Sequence, residues 1–162
     1  MPARRKRDLA FPSNDPASRG GPQLDARYVC FRLELAASGI HRWGVFAGQR
    51  IPPRRKVIEY TGERISRRET KRRDERQLHY LFTLDNYWTI DGSVGGSGAE
   101  YINHSCDPNC EAVILKGHIL YMSRRWISKG EELTVDYRFP KHVELVPCAC
   151  GANICRGTIN LK

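Results

Sequence analysis

The chain has 162 residues, 40% hydrophobic and 28% charged, which suits one globular domain and is too short for two well-formed cores. No run approaches the roughly 20 apolar residues of a bilayer span, and the first thirty residues hold no segment of signal-peptide type, so an intracellular protein without a membrane span is expected. Lysine and arginine number 27 against 18 aspartate and glutamate, a net charge of +9 that favours polyanionic surroundings without specifying a fold.

Residues 1–26, rich in Arg, Pro, Ser, Gly and Asp and without hydrophobic period, read as a flexible basic tail. From Arg27 the pattern changes: Tyr28 to Leu35 alternates loosely as a strand, with Cys30 as a core thiol. Ser38 to Gly44 is a glycine-containing turn of the kind that lets backbone approach a ligand closely, and it leads into the apolar strand Val45-Phe46-Ala47. Ile51-Pro52-Pro53 turns the chain into a strand over Lys56 to Tyr60, ended by Thr61-Gly62. Ser66 and Glu69 have capping-box spacing, which predicts a basic surface helix over 67–78. Tyr80 to Leu84 and Tyr87 to Ile90 predict a hairpin with Asp85-Asn86 as a two-residue turn, and 111–115 with 118–122 predict a second hairpin around Lys116-Gly117. Between them Gly92 to Gly98, with four glycines in seven residues, reads as a flexible link. A turn over 124–130 feeds a last strand over 133–138, so the domain is mostly β with one helix.

The stretch Tyr101 to Cys110 carries the most chemistry. Ile102 is its one apolar anchor, while Asn103, His104 and Ser105 offer amide, imidazole and hydroxyl in succession, which suits a ligand better than solvent. Asp107-Pro108-Asn109 forms a turn with Cys106 and Cys110 at its two ends. Six cysteines in an intracellular chain argue for thiols or metal over disulfides. Cys148, Cys150 and Cys155 lie in a stretch with too few apolar groups for its own core, where a tetrahedral zinc site would replace one. Three thiols are one ligand short, and Cys110 and His142 are among the candidates for the fourth.

Five stretches in this order, Trp43-Gly44-Val45-Phe46-Ala47, Val57 to Glu63, Tyr101 to Cys110, Glu131 to Tyr137 and Cys148 to Cys155, make residues 28–160 resemble a SET-domain protein lysine methyltransferase with a cysteine-rich post-SET tail. The resemblance implies several small sheets with a knot-like C-terminal segment, a SET domain over 27–140 and a zinc-binding tail over 141–162. It implies methyl transfer from S-adenosylmethionine to a lysine of a histone or other chromatin-associated protein, in the nucleus or at chromatin if the source is eukaryotic and in the cytoplasm if bacterial. By position, Tyr60, Tyr80 and Tyr137 match channel and catalytic tyrosines. Arg42, Trp43, Gly44, Tyr101, Asn103, His104 and Ile159 match cofactor contacts, and Cys106 completes a zinc site with Cys148, Cys150 and Cys155. Such a reaction needs alignment, a neutral amine and a place that excludes water, and tyrosines supply both apolar ring faces and an orienting hydroxyl.

Three residues depart from the family pattern. Arg42 stands where a glycine is common, Glu100 where Arg or Lys often precedes the aromatic residue, and Val135 where Phe or Tyr is frequent. Val135 leaves room for an already methylated lysine, so multiple methylation is expected. A catalytically weak SET-type binding module is the competing reading. A monomer is expected, with nucleic-acid contact through Arg64 to Arg76, where seven basic and three acidic residues give a local +4.

Overall fold

Short apolar runs broken by glycine and proline form short strands, ten of them among the described residues, 21–74 and 80–162 of the computed structural model. In chain order they are β1 (Leu33–Ala37), β2 (Trp43–Ala47), β3 (Lys56–Tyr60), β4 (Glu63–Ser66), helix α1 (Arg67–Asp74), β5 (Leu81–Thr83), β6 (Trp88–Asp91), a 3-10 turn (Ala99–Tyr101), β7 (Asn103–His104), β8 (Cys110–Leu115), β9 (His118–Ser123) and β10 (Thr134–Val135). They build four small sheets: β1 with β2, β3 and β8 either side of β9, β4 and β5 either side of β6, and a parallel pair of β7 with β10. That last pair sets Thr134 beside Asn103 and Val135 beside His104, which brings the end of the domain onto the polar stretch singled out in the sequence.

Val45, Ile51, Val57, Ile58, Ile119, Ile127 and Leu133 are 0–1% exposed and fill the space between the sheets. Each contributes roughly 1.5–3 kcal/mol by burial. Ile51 and Ile127 also exchange both main-chain hydrogen bonds at 2.9 Å, which zips the loop before β3 to the loop before β10. Among the described residues no helix is long and apolar enough to cross a membrane.

The mostly-β architecture and the second hairpin match expectation; Lys116 and Gly117 take φ of 49° and 82°, the left-handed pair that a two-residue hairpin turn requires. Elsewhere the structure corrects the sequence. The first strand starts at Leu33, while Val29 makes only an isolated bridge to Ile58, and Cys30 is exposed rather than core. Strand β4 was not foreseen, because only Ile65 of its four residues is buried and the pairing with β6 supplies the rest. The hairpin between β5 and β6 closes on three residues: Leu84 N–H bonds Trp88 O at 3.0 Å, and the Asp85 carboxylate accepts the N–H of Tyr87 and Trp88. The glycine-rich link is packed, with Ser97 at 0% exposure and its hydroxyl on Glu59 O. A Cβ at Gly96 would run into the Gly92 carbonyl, and Gly98 has φ of 98°, so these glycines serve close approach and a left-handed turn.

Helix α1 starts at the expected cap, Ser66 Oγ accepting the Glu69 N–H at 3.3 Å. Glu69 turns to Arg72 and Arg73 instead of reaching back, and its carboxyl is lowered to about 2 by those guanidinium bonds. No residue of α1 is buried; its anchor is Arg73, which also pairs with Glu63 and the buried Asp91. The predicted continuation over 75–78 lies outside the described residues.

Candidate functional site

Between β1 and β2 the chain closes on itself through Ser38 N–H to Arg42 O at 3.0 Å, with Arg42 at φ 40°. A non-glycine residue in that region carries a conformational cost, which explains why glycine suits the position. The Asn103 side-chain amide nitrogen sits 2.9 Å from Trp43 O, 3.2 Å from His41 O, 3.1 Å from Ser38 Oγ and 2.8 Å from Glu132 Oε1. The Ser38 hydroxyl donates to the same Glu132 oxygen at 2.7 Å. Asn103 and Glu132 therefore hold the Ser38 to Gly44 turn from beneath, and a Cβ at Gly44 would collide with the Glu132 carboxylate. Trp43 remains 39% exposed at the rim. Glu132 was missed in the sequence because a glutamate in an acidic pair reads as solvated surface.

The expected tyrosines come together from the end of β3, the residue before β5 and the loop after β10. Tyr60, 6% exposed, donates its hydroxyl to Tyr80 O at 2.6 Å, so it holds Tyr80 in place; Tyr80 meets Tyr101 edge-on at 5.9 Å. Tyr121, not singled out in the sequence, packs 6.0 Å from Tyr60 and completes the buried aromatic wall. The Tyr137 ring is 37% exposed, but its hydroxyl turns inward to donate to Ile102 O at 2.8 Å. Burial first, and then the neighbouring Tyr80 and Glu132, raises the Tyr137 pKa, so the phenol stays protonated at neutral pH. Behind this wall Glu100 accepts the Gly98 N–H at 2.9 Å, and burial lifts its carboxyl to about 7.

His104, 3% exposed, joins this aromatic cluster to the thiols. Its Nδ1 accepts the Tyr137 N–H at 3.1 Å, which leaves the proton on Nε2, 3.4 Å from Cys106 Sγ. Burial lowers the histidine pKa against the pull of Asp136, consistent with that neutral tautomer. Arg156 clamps Asp136 with two bonds of 2.8 Å and donates its main-chain N–H to Cys106 Sγ at 3.3 Å.

The sulfurs of Cys106, Cys148, Cys150 and Cys155 all lie within 4.8 Å of one another, Cys106 being 3.8 Å from Cys148 and 4.0 Å from Cys155. Tetrahedral Zn–S bonds of about 2.3 Å put sulfurs about 3.8 Å apart, so the set fits. Main-chain N–H groups of Cys106, Arg156 and Gly157 point at Cys150, Cys106 and Cys155 sulfurs, donors that suit thiolates. Burial pushes Cys148 up to about 12; at Cys150 it also works upward, but N–H donors from Cys106 and Ala152 together with the Cys148 and Cys155 thiols outweigh it and draw the thiol down to about 6. Cys110, fully buried in β8, and the exposed His142 lie outside the set, and all six cysteines are free of disulfides. Ile159 is half-buried and held by its N–H to Val146 O at 2.8 Å and by Arg156 on its carbonyl.

A family model described as the SET domain matches residues 42–138. Histone-lysine N-methyltransferase set-2 of Caenorhabditis elegans is 40% identical over 138 residues, 79% of this chain and 9% of that protein. The H3 lysine-4 specific histone-lysine N-methyltransferase of Schizosaccharomyces pombe is 40% identical over 139 residues, 80% of this chain and 15% of its own length. The H3 lysine-4 specific enzyme of Saccharomyces cerevisiae is 41% identical over 139 residues, 78% and 13% respectively. The chain thus spans between 9% and 15% of the length of these relatives.

Proposed function

The chain belongs to the SET-domain family, and from that premise we propose that it is an S-adenosylmethionine-dependent protein-lysine N-methyltransferase acting as a monomer on a histone at chromatin. The names of the two yeast relatives point to histone H3 as the substrate. The observation that carries the reading is the convergence of Tyr137, His104 and Asn103 on one segment, with the Tyr137 hydroxyl held inward on Ile102 O.

S-adenosylmethionine, when bound, supplies a methyl group on a sulfonium. The residues that would hold it are Arg42, Trp43 and Gly44 of the braced turn, Asn103 and His104 of β7, Tyr101 beside them, and Ile159 from the tail. Asn103 and Glu132 keep the turn's main-chain groups fixed before any ligand arrives, which lowers the entropic cost of binding. Tyr60, Tyr80 and Tyr137 line the approach of the lysine. An ordinary lysine, pKa about 10.4, must give up its proton to become a nucleophile, at roughly 4–5 kcal/mol near pH 7. Aromatic walls that exclude water favour the neutral amine, and the inward-turned Tyr137 oxygen keeps the site polar only where the nitrogen is to be oriented. Zinc on Cys106, Cys148, Cys150 and Cys155 would pin residues 141–162, as a post-SET tail, against the SET domain over 27–140. Contact of α1 with nucleic acid is carried by Arg67, Arg68 and Lys71, which face solvent.

A second reading, a SET-type module with weak turnover, is favoured by two residues, Arg42 at φ 40° and Glu100 where a basic residue is common. Transfer of labelled methyl from S-adenosylmethionine to mixed histones, comparing the protein with Tyr137→Phe, separates the two. Label on lysine, reduced at least about 100-fold in the variant, is the expected result. Donor binding without label would leave the binding module.

A further inference from the structure

Two stretches far apart in sequence, 50–56 and 124–129, each contribute cations to one face. Main-chain bonds put them together: Arg54 N–H bonds Ser123 O at 2.7 Å, Ser123 N–H bonds Arg55 O at 2.9 Å, and Ile51 pairs with Ile127. The face therefore gathers Arg50, Arg54, Arg55, Arg124, Arg125 and Lys129, all exposed. Among them stands Trp126, 51% exposed, with the Arg50 guanidinium 4.0 Å from its ring centroid. Arg125 is paired with Glu131 at 2.5 Å, and Arg124 donates to Pro108 O at 3.1 Å. Among the described residues, the other cations of this face, Arg50, Arg54, Arg55, Arg124 and Lys129, form no salt bridge. The carboxylates nearby are Glu131, already engaged, and Asp107, which acts on Arg125.

Arg54 adds an independent observation. It holds φ of 59°, where glycine or asparagine would relieve the backbone, so its side chain is kept at a conformational cost. Its packing does not explain this, since the side chain is exposed. The half-exposed Trp126 carries the Arg50 guanidinium on its ring, an attractive cation–π contact that leaves an edge of the indole open, and the pair fits a partner that brings both negative charge and flat apolar surface.

We propose that this face is a nucleic-acid-binding surface, on which the five arginines and Lys129 engage the phosphodiester backbone and Trp126 contacts a sugar or base. Charge complementarity selects a polyanion, and the exposed indole selects nucleic acid over an acidic protein segment. The surface continues through Arg124 onto the Asp107 to Asn109 turn of the proposed active segment, so bound nucleic acid would lie beside a chromatin substrate. The proposal does not depend on methyl transfer.

The test is fluorescence anisotropy with a labelled 20-base single strand and the matching duplex, over a salt series, on the full chain and three variants. Arg54→Glu with Arg124→Glu should weaken both probes at least ten-fold, with a wild-type log–log salt slope of about −5 for duplex, the value for six phosphate contacts. Trp126→Ala should weaken the single strand roughly ten-fold and the duplex less, which identifies base stacking. Arg68→Glu with Lys71→Glu on α1, a separate contact, should leave the loss caused by Arg54→Glu with Arg124→Glu unchanged in size. Unchanged affinity in the Arg54 and Arg124 variant, or equal competition by polyglutamate of matched charge, would overturn the proposal. Circular dichroism and melting of each variant show that the surface, not the fold, was changed.

Discussion

The segment Ile102 to Asn109 and the tail over 141–162 meet at Cys106, yet they are held in opposite ways. In the first, Ile102, Asn103, His104, Ser105 and Asn109 are all buried, and their polar groups are met by Ser38, Glu132, Tyr137 and Thr134. In the second only Asn160 is buried, and Leu145 and Ile154 are more than 60% exposed. Asn160 collects Pro140 O, Glu144 O and Val146 N–H, but no apolar core surrounds it. Burial and hydrogen bonding hold the segment; the tail, mostly exposed, is tied to the domain by the Arg156–Asp136 pair, by Asn160 and by the four-thiol cluster. The catalytic cleft proposed above lies on the buried side, and the tail is the part that the proposed zinc would attach.

Three substitutions probe that contrast. Ile102→Ala removes the apolar anchor of the segment and should cost roughly 2–5 kcal/mol, read as a lower denaturant midpoint for the whole domain. A loss confined to faster proteolysis of 141–162 would break the distinction. Glu100→Gln acts next in size. Its carboxyl is raised from 4.5 to about 7 by burial, so the folded state holds the proton more tightly than the unfolded one. Stability conferred by the protonated form is complete below about pH 4.5 and falls as pH rises to 7, by on the order of 2–3 kcal/mol. The variant should therefore melt higher than wild type at pH 8 and equally at pH 4.5; a constant difference across that range would contradict the burial of the charge. Val135→Tyr has the smallest expected effect on stability, about 1–3 kcal/mol from overpacking a residue 2% exposed. It should shift peptide products from higher methylation states towards monomethyl-lysine by mass spectrometry.

The segment and the thiols were legible in the sequence because their residue types are costly to place without a use: Asn, His and Ser in succession, and three cysteines without a core. The pairing of β7 with β10 was not, since two-residue strands carry no periodicity, and with it went Glu132, whose role appears only when Thr134 is laid beside Asn103. Arg156 was hidden for the same reason, its partner Asp136 lying 20 residues away. Glycines 92–98 were read as slack because composition does not distinguish a loose chain from one packed too closely for a Cβ. The basic face around Trp126 was invisible because its cations are split between two loops that the Ile51 and Ile127 pairing unites.

Zinc content and methyl transfer measured on the same preparations, before and after chelation and again in Cys150→Ser, test most directly whether the tail completes the site. One zinc per chain is predicted, with transfer and the protease resistance of 141–162 lost together on chelation and restored together on adding zinc back. Full transfer by protein shown to be free of metal would contradict it.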